Sequence, residues 1–168
     1  MEKIENILKR VEGSKPFNAL LKEHRKKSVT VHLDNLVGGA LSLYSAALVR
    51  RAGGVHIFVA EDRDSAAYML NDFYALLDEE RVHFFPTSYK RSILYGREDA
   101  QGVVQRTNTL NALRHHGKGY TVICTYPEAI AERVADESAL SERSIRLRVG
   151  DSISIVALEE QLVERGFQ

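Results

Sequence analysis

Apolar residues follow two different periods along the chain, and their alternation predicts an α/β fold. Continuous apolar runs at Val55–Ala60, Val82–Phe85 and Tyr120–Thr125 are typical of strands buried on both faces of a parallel sheet. Val29–Leu33, just before a glycine turn, is predicted as the first such strand. Segments with helical spacing separate the runs. Strands that alternate with helices indicate right-handed crossovers, and therefore a doubly wound α/β domain with a parallel sheet.

The predicted helices have apolar stripes that face this sheet. Residues 3–12 and 17–26 are predicted as two helices, interrupted by Gly13-Ser14-Lys15-Pro16. Three further stripes follow: Leu41, Tyr44 and Leu48; Ala66, Met69, Leu70, Phe73, Tyr74 and Leu77; and Val103, Thr107, Leu110 and Leu113. Within the strands, Phe58 and Ile123 are predicted core positions.

The last quarter of the chain has a different organisation. Residues 1–126 are predicted as the α/β domain, and residues 127–168 as the start of a second, small α+β module. In this module a short helix follows Tyr126, Ser144–Val149 alternates like a strand, and a final helix carries a stripe of Ile155, Leu158 and Leu162. A β-α unit that ends in a capped helix usually leads into another strand. We therefore expect a truncated module that belongs to a longer protein.

Composition limits the classes of function. Lys+Arg and Asp+Glu both number 23, so no overall charge directs the chain to nucleic acid or to a membrane. The single cysteine, Cys124, lies in a strand-like run and is predicted as a buried small side chain rather than a nucleophile. No apolar run approaches the ~20 residues that span a bilayer. The expected protein is cytoplasmic, with no membrane partner.

The glycine turn before Leu41 has the glycines of a phosphate-binding loop but lacks the lysine that binds the phosphates. Gly38 and Gly39 supply the flexible turn, and Ser42 stands where a magnesium ligand belongs, but Leu41 occupies the position of the phosphate-binding lysine. The turn is interpreted as a vestigial P-loop, so no catalytic residue, metal ligand or cofactor of its own is expected here. Anion binding at the helix N-terminus is the alternative.

A second candidate is the polar, aromatic loop after the third predicted strand. Lys90, Arg91 and Arg97 alternate there with Tyr89 and Tyr95. Such a cluster pairs with phosphates and stacks on bases in some nucleic-acid-binding proteins. In a chain of zero net charge, we interpret it as a solvated loop or an intramolecular interface.

Five stretches together resemble the N-terminal, UvrB-like region of the bacterial transcription-repair coupling factors, the Mfd family. They are the glycine turn, Phe84-Phe-Pro86, Tyr95-Gly-Arg-Glu-Asp99 with Arg106, Val122-Ile-Cys-Thr-Tyr-Pro-Glu-Ala129, and Val149-Gly-Asp with the later Leu158 and Leu162-Val-Glu-Arg-Gly-Phe167. Their order and spacing cover nearly the whole chain. The resemblance implies a degenerate P-loop NTPase-like domain, followed by the start of the small second module.

The resemblance also implies a function. Members of this family displace stalled RNA polymerase with an ATP-driven translocase on double-stranded DNA, and then recruit the excision-repair protein UvrA. ATP and Mg²⁺ would belong to the motor of the longer chain, whereas this region would supply the UvrA contact, for which Arg165, Phe167 and Gln168 are the implied residues. A generic nucleotide-binding α/β enzyme domain is the alternative, against which Leu41 and the lack of a catalytic constellation argue.

Overall fold

A computed structural model describes residues 2–89, 99–134, 149–150 and 152–164. The elements in these ranges are α1 (Glu2–Glu12), α2 (Lys15–His24), α3 (Ala40–Ala52), β1 (Gly54–Val59), α4 (Arg63–Leu76), a 3₁₀ turn (Glu79–Arg81), β2 (Val82–Phe85), α5 (Ala100–Arg114), β3 (Tyr120–Thr125), α6 (Pro127–Ala131) and α7 (Ile155–Glu164). Contacts among residues divide the chain into a unit of residues 1–132 and a unit of residues 133–168.

The three described strands form one parallel sheet with β3 in the centre, in the order β1-β3-β2. This confirms the α/β class and the strands predicted from the three apolar runs. The chain moves two positions from β1 to β2 and then one position back to β3. Because parallel crossovers are right-handed, this reversal places α4 and α5 on opposite faces of the sheet.

The main core lies on the α4 face of the sheet. Phe73 of α4 is fully buried, and its ring lies 4.7 Å from the ring of Phe58 on β1. Helix α3 packs beside α4 and β3, and α1 and α2 cover α3 with the buried side chains of Leu8 and Phe17. Helix α2 also reaches the sheet, where the ring of its His24 stacks on that of His56 on β1 at 5.6 Å.

Residues 29–37 are neither strand nor helix, so the predicted strand Val29–Leu33 is wrong. Val29, Val31 and Leu33 are 38–46% exposed. Within the described chain no backbone hydrogen bond joins residues 29–36 to another segment. An alternating pattern shows that a segment suits a strand, but a strand also needs a neighbour. Both edges of β3 are occupied by β1 and β2, and residues 29–33 form no backbone hydrogen bond to the outer edge of either strand in the described chain.

On α3 and α5 the buried face of the helix differs from the apolar stripe predicted from the sequence. Leu41 and Val103 are 40% and 37% exposed, whereas the buried positions are Ser42, Ser45, Ala46, Ala47 and Val49 on α3 and Gly102, Arg106 and Thr109 on α5. Small residues allow these helices to approach their neighbours, and polar residues are buried where hydrogen bonds satisfy them. At Gly102 a Cβ would lie only 2.4 Å from the carbonyl oxygen of Thr87.

Most other predicted elements are confirmed with small changes of boundary. Ser14 caps α2 by accepting a hydrogen bond from the backbone N–H of Phe17, and α6 begins at Pro127 as expected. In the second unit α7 is present, with Leu158 and Leu162 half-buried and Ile155 81% exposed. The predicted strand Ser144–Val149 lies outside the described residues, except that Val149 is in a turn.

Candidate functional site

The glycine turn leads directly into α3, as the sequence predicts for the helix. Gly38 has φ +57°, a left-handed conformation that favours glycine, and Gly39 is the N-cap of α3. The N-cap contributes no side-chain hydrogen bond. The turn thus exposes the start of a helix, but the strand that precedes such a turn in a P-loop is not formed by residues 29–33.

The Ser42 hydroxyl is hydrogen-bonded within the protein and does not face an open magnesium position. Its side chain is 7% exposed, and its hydroxyl donates a hydrogen bond of 2.5 Å to Oδ2 of Asp72 on α4. Leu41 is exposed and carries no charge. Of the two side chains after the turn that bear on phosphate chemistry, one is apolar and the other joins α3 to α4.

A cavity of about 270 Å³ lies where the strands end, which is the usual ligand position in open parallel sheets. Its lining comes from the start of α4, the segment after β2 and the segment after β3: Asp62, Arg63, Asp64, Thr87, Tyr89, Tyr126 and Glu128. The topology therefore brings together residues that are as much as 66 positions apart in the sequence.

The charges around this cavity are mostly negative. Asp62 caps α4 by accepting a hydrogen bond of 2.7 Å from the backbone N–H of Ser65, and this bond lowers the pKa of the Asp62 carboxyl. Asp64 and Glu128 add two carboxylates, while Arg63 forms an ion pair with buried Asp99 at 3.7 Å. The phosphates of a nucleotide would meet three carboxylates here, so this lining disfavours an anionic ligand.

Hydrogen bonds fix the segment after β2 on the cavity wall. The Tyr126 hydroxyl accepts a 3.0 Å hydrogen bond from the backbone N–H of Thr87 and lies 3.1 Å from its Oγ1. The Thr87 hydroxyl in turn donates to the carbonyl of Tyr89, so Tyr126 is the donor in the hydroxyl pair. Ser88 donates both its backbone N–H and its hydroxyl to the Glu132 carboxylate. The wall is thus held by the side chains of two residues that follow β3 in the sequence, Tyr126 and Glu132.

Arg106 connects several elements beside this cavity through hydrogen bonds. The residue is 5% exposed, and its guanidinium donates to the carbonyls of Pro86, Ala129 and Glu132 at 2.7, 3.0 and 3.3 Å. It also lies 4.1 Å from the centre of the Phe85 ring. Burial lowers the pKa of Arg106, opposed by the Glu132 carboxylate, and an arginine stays charged here. Arg106 therefore joins α5 to the ends of β2 and α6.

A larger and more open cavity, of about 790 Å³, lies at the opposite end of the sheet. Two charged side chains of its lining, Arg50 and Glu5, form a bidentate ion pair with both N···O distances at 2.9 Å. Another lining residue, Tyr120, accepts a hydrogen bond from the backbone N–H of Asp78. These contacts join α1 to α3 and β3 to the 3₁₀ turn, which gives the lining a structural role.

The other sequence candidates divide into two groups. Cys124 is fully buried, and burial raises the pKa of its thiol to about 12, as suits a core side chain. In contrast, the implied partner-binding residues Arg165, Phe167 and Gln168 lie outside the described residues, as do Lys90, Arg91, Tyr95 and Arg97. In the described ranges no group of three or more His, Cys, Asp or Glu side chains is arranged to hold a metal ion.

None of the protein-family models compared with the sequence matches it, and none of the curated proteins compared does so. Among the described helices, none has both the length and the apolar character needed to cross a membrane.

Proposed function

We propose that this chain is the N-terminal part of a bacterial transcription-repair coupling factor. In this role it is a non-catalytic module that helps to recruit UvrA to stalled RNA polymerase and packs against the ATP-dependent translocase region of the longer chain. The degenerate P-loop, UvrB-like description of residues 1–126 and the UvrA-binding description of residues 127–168, as the start of a second module, are parts of the same proposal. It rests on the ordered stretches of resemblance along the sequence.

The structural observation that best supports a non-catalytic role is the contact between Ser42 and Asp72. A P-loop hydroxyl must be available to Mg²⁺, whereas the Ser42 hydroxyl is buried and donates to a carboxylate on α4. Leu41 supplies none of the positive charge that stabilises the leaving phosphates. Ser42 therefore links α3 to α4, and Leu41 is an apolar side chain on the exposed surface of α3.

One observation favours the rival proposal of a nucleotide-binding enzyme domain. The 270 Å³ cavity occupies the position at which α/β enzymes bind their ligands. Its three carboxylates oppose a nucleotide phosphate, and this conflict weakens the rival proposal. Direct measurement of ATP binding separates the two.

We expect the chain neither to hydrolyse ATP nor to bind it tightly. Thermal unfolding with and without millimolar Mg²⁺-ATP measures this, because a ligand at 100 times its Kd stabilises the folded state by about 2.7 kcal/mol. The expected result is an unchanged Tm. Millimolar or tighter binding that requires Mg²⁺ and is lost in Ser42→Ala would contradict the proposal.

Leu41→Lys is the matched variant for this experiment. It restores the lysine of the P-loop at an exposed position, so the fold should tolerate it. We still expect no hydrolysis, because the Ser42 hydroxyl remains engaged with Asp72 and the carboxylate of Asp62, which follows β1, is engaged in capping α4. ATP turnover by this variant would show that the rest of a catalytic site is present.

A titration of UvrA tests the partner directly. We expect this chain to bind UvrA weakly or not at all, because the resemblance covers only the start of the family's second module. A longer chain that continues past Gln168 and completes the module should bind. Equal affinities would place the contact on the first predicted domain, residues 1–126, and no binding by either chain would remove UvrA from the proposal.

A further inference from the structure

Strand β1 has one free edge in the described part of the chain. The backbone N–H groups of Gly54 and Ala60 donate to carbonyls at the two ends of β3, which shows that the even-numbered residues of β1 direct their hydrogen-bonding groups to β3. In a parallel ladder the alternate residues face the other way. The N–H and C=O groups of Val55, Ile57 and Val59 therefore point to the free edge.

The side chains of the same three residues form an exposed apolar strip. Val55, Ile57 and Val59 are 43%, 59% and 52% exposed. They lie on the α5 face of the sheet, opposite Phe58, which packs on α4. Helix α5 covers β2 and β3 on this face. Ile123, the neighbour of Ile57 on β3, is accordingly only 3% exposed.

The two outer strands differ in how they are protected against pairing with another chain. Strand β2 has four residues, buries Val82 and Phe84, and is followed at once by Pro86. Strand β1 has six residues with no lysine and no proline, the devices that usually block an exposed edge. An edge of this kind is a template for a further strand.

Charges at the two ends of β1 are opposite in sign. Arg51 is exposed just before the strand, and Glu61 and Asp62 are exposed just after it. In an antiparallel pair of β1 strands, the basic end of one copy would lie beside the acidic end of the other. A parallel pair would bring like charges together, and the zero net charge of the chain adds no general repulsion.

We propose that the free edge of β1 binds a second copy of this chain, antiparallel, about a two-fold axis at Ile57. In this register Ile57 faces Ile57 of the second copy, and Val55 faces its Val59. All the outward backbone groups of these residues are then paired, with two hydrogen bonds in each of three residue pairs, or about six in all. The six aliphatic side chains form one continuous strip. This inference does not depend on the proposed function.

Cysteine cross-linking of the full 168-residue chain tests the register. Facing Cα atoms of a hydrogen-bonded antiparallel pair lie about 5.5 Å apart, within the range of a disulfide. We expect Ile57→Cys to form a disulfide-linked dimer under mild oxidation. Val55→Cys is the matched control, because four residues separate the two copies of this position, or about 14 Å along the strands. Native Cys124 is buried in both variants.

Analytical ultracentrifugation of the chain without an introduced cysteine tests whether the β1 edge forms a dimer. We expect a concentration-dependent dimer, and Ile57→Lys should raise its Kd by at least about tenfold by placing a charge on the edge. Val104→Lys, an exposed substitution on α5, should leave the Kd unchanged. A monomer at all concentrations overturns the proposal. Equal cross-linking of the two cysteine variants, or equal effects of the two lysines, overturns it as well.

Discussion

Replacing Arg106 by alanine should lower the free energy of unfolding of the first unit by about 3–5 kcal/mol, the usual effect of removing one partner from a buried ion pair. The carbonyls of Pro86, Ala129 and Glu132 would lose their donor, and the Glu132 carboxylate would lose its cation. Unsatisfied buried acceptors retain their full cost of desolvation. The lost stacking on Phe85 adds to this effect. Urea unfolding followed by circular dichroism measures the change.

Two control variants identify the cause. Arg106→Lys keeps the positive charge but loses the planar fork that reaches several carbonyls, so its stability should lie between wild type and Arg106→Ala. Arg10→Ala, on the exposed surface of α1, should change stability by no more than about 0.5 kcal/mol. If Arg106→Ala and Arg10→Ala lower the free energy of unfolding by similar amounts, the contacts of Arg106 do not contribute to the stability of the fold.

Phe73→Ala should destabilise the same unit by about 3–5 kcal/mol, as is typical of a buried phenylalanine. The side chain is fully buried where α4 meets the sheet, and its ring contacts that of Phe58 on β1. Neighbours at this point belong to regular elements, so they can fill only part of the cavity. The same urea titration measures the effect.

Phe58 provides the comparison for this prediction. Its ring makes the same contact but is partly exposed, so Phe58→Ala should cost less than Phe73→Ala. The double variant should show a coupling of about 0.5–1.5 kcal/mol, the usual value for an aromatic pair. Additive effects would mean that the rings do not interact, and a larger loss at Phe58 would mean that β1 and not α4 anchors the core.

The strands were predictable where burial on both faces leaves an unbroken apolar run, as in Tyr120–Thr125. They were not predictable where pairing decides, since Val29–Leu33 has a suitable pattern but does not pair with any described strand, even though β1 has a free edge. The local sequence pattern indicates only that a segment is able to form a strand. Which segments become neighbours depends on the whole chain.

The helix faces show a second limit of periodicity. Burial on α5 follows Gly102, Arg106 and Thr109, which no hydrophobicity pattern marks as interior. Close backbone approach explains the glycine, and hydrogen bonds to carbonyls explain the other two.

The central position of β3 also governs the order in which the sheet can assemble. Both β1 and β2 pair with β3, which is the last of the three strands in the sequence. During synthesis from the N-terminus, neither earlier strand has its partner until residues 120–125 have left the ribosome. Until then the helices can form locally, while the apolar strands remain dependent on protection from aggregation. Neither pairing of the described sheet can therefore form before β3 is available.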